Sequence, residues 1–395
     1  MEGQTPRRAQ RALTPKQKAV RRRKAILGWL SMLFILVILG VGIFAIASIV
    51  SQMNKVTELQ KDFGEYTQLS QLPTKAEEDE QKRLEELEKI DLAFRERDSY
   101  PIEMEIRSPI CVMYDVQAKE LLYVKNGNDK AFPASTTKVL TSAVMLEYCP
   151  EGTLFEAGSE QSMVQDGSSL ANIEGMTLDR DNMLDAIMVC SGNDASYCAA
   201  AVTGRLIAQN ESLSAKEAVT VFVDKMNETA KLIGCKGTHF TCPDGFHDDE
   251  HYTTAMDLLK ITVYSQRFPQ IAASGAKASA HEVFPSGEET DWENSNRLLD
   301  EYSDRFYTYA TGLKTGMTDV SGYCIIATAR RFEHDVVMVI LGSEDSDLRY
   351  SEAIALFDQG FQYIRNRPDK TEEDTASEEE GSSGETAEES SADSE

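Results

Sequence analysis

Phe132-Pro133-Ala134-Ser135-Thr136-Thr137-Lys138 sets a serine and a lysine three positions apart at the mouth of an uninterrupted helical run. Pro133 fixes an entry dihedral and cannot continue a preceding helix, while Thr136 to Met145 holds neither glycine nor proline. The sequence therefore predicts a helix beginning near Ser135. Positions i and i+3 share a helix face, which puts the Lys138 amine beside the Ser135 hydroxyl. A serine hydroxyl is a weak nucleophile at neutral pH until a neighbouring base takes its proton, and lysine can serve once burial or nearby charge lowers its pKa. Amide donors at a helix N-terminus favour the negative charge that develops. Ser274-Gly275-Ala276-Lys277 repeats the spacing, but a glycine in the first turn makes a poor helix start. That segment reads as an alanine-rich surface stretch.

Strands precede this run, and helices and then further strands follow it. Ile110-Cys111-Val112-Met113-Tyr114 and Glu120-Leu121-Leu122-Tyr123-Val124, parted by a polar turn, predict a hairpin. Helices are expected over Arg180–Val189, Asp194–Ile207 and Val219–Ile233, with Gly192 and Asn193 breaking the first from the second. Residues 235–251 read as an irregular connection. Tyr307–Leu313, Gly322–Arg330 and Asp335–Leu341 predict three strands, the last two a hairpin, and Glu352–Ile364 a closing helix. Strands, then helices, then strands again predict an α/β fold of the α+β type, an antiparallel sheet flanked by helices.

Charge divides the 395 residues unevenly. Residues 1–24 carry nine Lys/Arg against one Glu, and residues 371–395 carry eleven Asp/Glu with no basic residue. The net charge of −26 argues against nucleic acid as a partner. Residues 25–50 contain no charged side chain, long enough at about 1.5 Å per residue to cross a bilayer. With Arg21-Arg22-Arg23-Lys24 just before it, this run predicts a signal anchor with the N-terminus cytoplasmic and the rest extracytoplasmic. Ala45-Ile46-Ala47 leaves cleavage of a signal peptide as the competing reading. Residues 51–99 read as a polar helical stalk, 100–367 as the catalytic domain and 368–395 as a disordered acidic tail. Seven cysteines form an odd set without zinc-site spacing, so no metal and no cofactor is expected. Cys235 and Cys242 could bridge a short loop or remain free thiols.

Two further triplets give the first pair meaning: Ser191-Gly192-Asn193, and Lys314-Thr315-Gly316, which reads as a strand end. Each alone is commonplace. Together, Ala134-Ser135-Thr136-Thr137-Lys138, Ser191-Gly192-Asn193-Asp194-Ala195 and Gly312-Leu313-Lys314-Thr315-Gly316 resemble the motifs of serine-type D-Ala-D-Ala carboxypeptidases, the low-molecular-mass penicillin-binding proteins. Gly237-Thr238-His239-Phe240, His251-Tyr252-Thr253-Thr254-Ala255-Met256-Asp257-Leu258, Asn296-Arg297-Leu298-Leu299 and Gly322-Tyr323-Cys324 extend the likeness from about residue 105 to 366.

The resemblance implies a penicillin-binding protein/β-lactamase-like serine acyltransferase fold. It implies that Ser135 attacks the carbonyl between two D-alanines of a peptidoglycan stem peptide and that Lys138 takes its proton. Ser191 would relay a proton to the leaving D-alanine, Asn193 would hold the substrate amide and Lys138, and Lys314 would supply positive charge. Thr315 and Gly316 would line the substrate strand, with the N–H groups of Ser135 and Met317 as the oxyanion hole. β-Lactam antibiotics would be covalent inhibitors. Arg349 falls where the family often places an arginine for the terminal carboxylate, or else is an exposed structural arginine. The group His239, His247 and His251 reads as surface histidines rather than a metal site. A β-lactamase would need a positioned carboxylate for deacylation, and the one Glu-x-x-Asn match, Glu293-Asn294-Ser295-Asn296, runs into a segment that already resembles the carboxypeptidases. A D,D-endopeptidase shares the chemistry, and a catalytically silent wall-binding scaffold would keep the fold without it.

Overall fold

The computed structural model describes residues 99–367. The expected cytoplasmic segment, anchor, stalk and acidic tail lie outside these residues, apart from the stalk's last position. Among the described residues no helix is long and apolar enough to cross a membrane.

A five-stranded antiparallel sheet forms the centre. Its strands are β1 (Ile110–Asp115), β2 (Glu120–Lys125), β7 (Ala310–Thr318), β8 (Gly322–Arg331) and β9 (His334–Ser343), in the order β2-β1-β9-β8-β7. The expected hairpins are therefore present, and the chain returns to the first strands as expected. Two two-stranded sheets stand apart, β3 (Phe155–Glu156) with β4 (Thr177–Leu178), and β5 (Ser279–Val283) with β6 (Glu289–Glu293).

Successive side chains on a strand point to opposite faces, and this sheet buries both. Val112, Tyr114, Ile326, Val337, Val339 and Leu341 face a large helical layer. That layer comprises α1 (Lys138–Tyr148), α2 (Arg180–Met188), α3 (Asn193–Ala208), α4 (Ala215–Leu232), α5 (Ala255–Ser265) and α6 (Pro269–Gly275). Cys111, Met113, Ile325, Ala327, Met338 and Ile340 face the single helix α7 (Ser346–Asn366), which contributes Tyr350, Leu356, Phe357 and Phe361. Burial on both faces explains why β9 reads as the unbroken apolar run Val336-Val337-Met338-Val339-Ile340-Leu341 rather than an alternation.

Several boundaries differ from the sequence reading. β7 does not end before Lys314 but carries Lys314-Thr315-Gly316 in its interior, and its start is delayed because Tyr307–Ala310 close a turn through Ala310 N–H to Tyr307 O at 2.8 Å. Gly316 is a site of close approach rather than a terminator: a Cβ there would lie 2.8 Å from the Ser135 nitrogen. α7 begins six residues early because Asp345 caps it, accepting from the Leu348 N–H at 2.7 Å. α5 and α6 are additions to the expected helices, although Thr254, which accepts from the Asp257 N–H, and Pro269 in the first turn are start signals. Ser274 is not on the surface. It is buried at the end of α6, donates to Asp185, and its neighbour Gly275 abuts Leu313 of β7.

Candidate active site

Ser135 sits in a 3-10 turn, Ala134–Thr137, that runs straight into α1. Ala134 occupies the left-handed region at φ 49°, an uncommon conformation for a residue with a side chain, and it swings the chain so that Ser135 stays partly exposed while residues 136–148 are buried. One helical turn on, Lys138 Nζ lies 2.8 Å from Ser135 Oγ. The expected juxtaposition of the pair is present.

Lys138 has two further partners, Asn193 Oδ1 at 2.7 Å and the Asp244 carbonyl at 2.7 Å. Three acceptors suit an ammonium ion. They suit the free amine as well, since two N–H bonds then go to Asn193 and Asp244 while the lone pair faces the Ser135 hydroxyl. Burial pushes the Lys138 pKa down to about 8, with the charge of Asp244 opposing the shift.

The second wall comes from the turn between α2 and α3. α2 is started by a reciprocal Asp179–Asn182 capping box, and Gly192 N–H returns to Ala186 O at 2.9 Å, closing the turn that presents Ser191 and Asn193. Ser191 takes a left-handed φ of 62°. Its Oγ accepts from Lys314 Nζ on β7 at 2.9 Å, and Lys314 also donates to Thr315 O at 3.0 Å. Burial, then the nearby Lys138, holds the Lys314 pKa well below the ordinary lysine range. Two hydroxyl–amine couples therefore face each other, Ser135 with Lys138 and Ser191 with Lys314, and Asn193 joins the first couple to the second wall.

Thr315 and Gly316 line the same edge strand, and the exposed Met317 follows them. Thr315 Oγ1 bonds Ser295 Oγ, a partner outside the three motifs. Arg349 is neither exposed nor displayed as a free fork. It is buried, and its guanidinium donates to Gly316 O at 3.3 Å, to Cys324 O at 2.8 Å and to the Tyr350 hydroxyl at 2.9 Å, so it braces β7 against β8 from behind.

Other contributors are invisible to motif reading. Ser168 Oγ accepts from Asn193 Nδ2 at 2.8 Å and Ser169 O from Asn193 N–H at 2.8 Å, so both ends of Asn193 are fixed by one loop. That loop is pinned by the buried Asp194 carboxylate, which accepts the N–H groups of Ala171, Asn172 and Ile173. The run Asp166-Gly167-Ser168-Ser169 marks a loop in sequence but not its target. His251 is buried rather than on the surface: its Nδ1 accepts from Thr241 N–H at 3.0 Å, leaving Nε2–H for Thr137 Oγ1 at 2.9 Å. Cys235 and Cys242 form no bridge, and all seven cysteines are free. Among the described residues no cluster of His, Cys, Asp or Glu could hold a metal ion.

Residues 96–345, more than half the chain, match the family described as D-alanyl-D-alanine carboxypeptidase. The chain belongs to that family. D-alanyl-D-alanine carboxypeptidase DacF of Bacillus subtilis is 28% identical over 265 residues, 65% of this chain and 63% of the relative. A D-alanyl-D-alanine carboxypeptidase of a Streptomyces species is 29% identical over 251 residues, 61% of this chain and 82% of the relative. Among solved structures, a point mutant of a Streptomyces DD-transpeptidase superposes with a TM-score of 0.59 at 25% identity, covering 66% of this chain and all of that one. This is the penicillin-binding protein fold, the serine acyltransferase architecture that the motifs implied.

Proposed function

We propose that the chain is a serine D-Ala-D-Ala carboxypeptidase that removes the terminal D-alanine from peptidoglycan stem peptides through a Ser135 acyl-enzyme and is inhibited by penicillins. The observation that carries this reading is the 2.8 Å approach of Lys138 Nζ to Ser135 Oγ, in a family of D-alanyl-D-alanine carboxypeptidases. Lys138 takes the hydroxyl proton as Ser135 attacks the penultimate D-alanine carbonyl. The Ser135 and Met317 N–H groups face the oxyanion, a donor set in which one lost hydrogen bond costs about 3–4 kcal/mol of transition-state stabilisation. Ser191, backed by Lys314, gives a proton to the leaving amine, and water then cleaves the Ser135 ester, its oxygen forming the new carboxyl terminus and a proton returning to the serine. Asn193 has one amide N–H beyond the bond to Ser168 and offers it to the substrate backbone, which lies along Thr315 and Gly316. Arg349 acts through β7, holding the Gly316 carbonyl and placing positive charge behind the strand that receives the terminal carboxylate. Residues 25–50 anchor the chain in the bacterial cell membrane with the catalytic domain outside, where peptidoglycan is.

The test is intact mass of full-length protein in detergent, with and without a fluorescent penicillin, beside Ser135→Ala. One adduct that disappears in the variant, with D-alanine released from a pentapeptide, is the expected result. A folded protein that forms no adduct overturns the enzymatic reading, and cleavage of cross-linked dimers without D-alanine release would make the protein an endopeptidase.

A further inference from the structure

The Asp244 backbone carbonyl holds Lys138, while its buried carboxyl group has no part in the proposed mechanism. The residue is fully enclosed. It belongs to a loop that presses on the nucleophile turn, since a Cβ on the neighbouring Gly245 would fall 1.9 Å from the Ala134 carbonyl oxygen. Lys138 Nζ reaches the Asp244 carbonyl at 2.7 Å, and among the charged groups acting on the Lys138 amine Asp244 is the strongest. Its Oδ1 accepts from Phe246 N–H at 3.2 Å. Its Oδ2 has no hydrogen-bond partner among the described residues, with only the Cys242 thiol, a weak donor, lying against the carboxyl group and Tyr197 facing it.

Asp194 provides the contrast. Its two oxygens accept from the N–H groups of Ala171, Asn172, Ile173 and Ala195, so its charge is spread over four donors at a helix N-terminus. Asp244 has one such donor. A buried carboxylate so poorly solvated requires a counter-charge, and the cation beside it is Lys138. The other groups facing Lys138 are Cys242 from the same loop, Asp194 on α3, Cys190 in the preceding turn, Lys314 on β7 and the neutral His251 imidazole. Lys314 is itself depressed by burial and by the Lys138 charge, Asp194 acts on Lys138 less than Asp244 does and has its oxygens committed to four N–H groups, and burial keeps the thiols protonated.

We propose that Asp244 is the counter-charge of Lys138, a positioning residue that holds the lysine's proton and thereby sets the lower pH limit of Ser135 acylation. The proposal rests on the reading of Lys138 as the base. The sign follows from the charges: a carboxylate stabilises the ammonium form, so removing it frees the amine at lower pH. Asp244→Asn keeps the shape and an acceptor for Phe246 N–H. Asp244→Ser is smaller and serves as the second variant.

Two readouts on the full-length protein in detergent separate the possibilities: the 13Cε NMR titration of Lys138, assigned by its loss in Lys138→Met, and the pH profile of single-turnover acylation by a fluorescent penicillin. Both midpoints should fall by roughly one pH unit in the variants. An unchanged Lys138 titration, with acylation lowered equally at every pH, overturns the proposal and leaves Asp244 a support for its loop. A lysine midpoint that falls while the acylation profile stays fixed shows that Lys138 is not the base, which overturns the functional reading and with it the link to acylation. If neither variant folds, the 13Cγ signal of Asp244 in the unmodified protein decides: a protonated carboxyl group at neutral pH overturns the proposal, and a carboxylate supports it.

Discussion

Gly245→Ala tests whether the loop packed on the Ala134–Thr137 turn sets the geometry of the Ser135–Lys138 pair. Gly245 has φ +83°, and an added Cβ would lie 1.9 Å from the Ala134 carbonyl oxygen, 2.5 Å from its carbon and 2.8 Å from Thr137 Oγ1. Ordinary contact for such a carbon begins at 3.4 Å, so loop and turn must part by about 1.5 Å. Ser135 follows Ala134, and Lys138 is tied to the residue before Gly245, so the displacement falls on the 2.8 Å and 2.7 Å bonds that align the proposed nucleophile and base. A misplacement of about 1 Å costs roughly a hundredfold in rate, and the left-handed backbone adds about 1–2 kcal/mol of strain. Gly204→Ala is the control. Its Cβ would meet the Ala218 carbonyl oxygen at the same 1.9 Å, but between α3 and α4, roughly 16 Å along the helix from Asn193. Both variants should lose thermal stability, whereas acylation by a fluorescent penicillin, measured per folded molecule, should collapse only in Gly245→Ala. Acylation by Gly245→Ala within about threefold of the parent protein would refute the reasoning.

Three further outcomes are expected. Because burial pushes the Lys138 pKa down to about 8 and the proposed mechanism needs the free amine, acylation should rise with pH, about tenfold between pH 7 and 9 as the free fraction climbs from roughly one-tenth to nine-tenths; a flat profile sinks the assignment. Burial pushes the His251 pKa down to about 3, so the unfolded chain binds its proton below about pH 6.5 while the native state refuses it. Stability should fall as pH drops through that window, by about 2 kcal/mol at pH 5, and a His251→Gln protein with the same acid slope in thermal unfolding would exclude the imidazole as the cause. Glu293 is exposed on β6, so Glu293→Gln should leave the lifetime of the penicilloyl adduct unchanged; a much longer lifetime would revive the β-lactamase alternative.

How much of the fold and site is legible in the sequence follows from the range of the interactions. The Ser135–Lys138 pair is a property of one helical turn, and the amphipathic helices and apolar hairpins follow from local periodicity. Ser191, Asn193 and Lys314 are legible only as a set, because each triplet alone is commonplace and Lys314 meets Ser191 across 123 positions. Ser168, Asp244 and Ser295 have no local signature, since each reaches the site from a loop through one contact with a distant residue. The misreadings have the same origin. Residue type places His251 on the surface, yet a backbone N–H and a threonine hydroxyl far apart in sequence satisfy both ring nitrogens and permit its burial. Gly316 looks like a strand end, whereas sheet pairing carries the strand through it and the missing Cβ makes room for Ser135.

The two buried lysines explain why the site holds hydroxyls and amines and keeps carboxylates behind them. Burial lowers both amines, and their proximity lowers Lys314 further, so the proton on Lys138 can leave at moderate pH without a general-base histidine. In the proposed mechanism Lys138 takes the proton from Ser135 while Ser191, bonded to Lys314, supplies one to the leaving group. Both steps then use amines, and the buried carboxylates facing Lys138 serve otherwise. Asp194 anchors the loop that orients Asn193, and Asp244 meets Lys138 through its backbone carbonyl, which accepts from the Nζ. Among the described residues neither carboxylate hydrogen-bonds Ser135, whose hydroxyl meets Lys138, and Glu293 is turned to solvent. A penicilloyl group, which keeps its tethered leaving group in the cleft, should therefore stay on Ser135 far longer than a peptidyl group whose D-alanine has departed. Penicillins would then act as inhibitors rather than substrates.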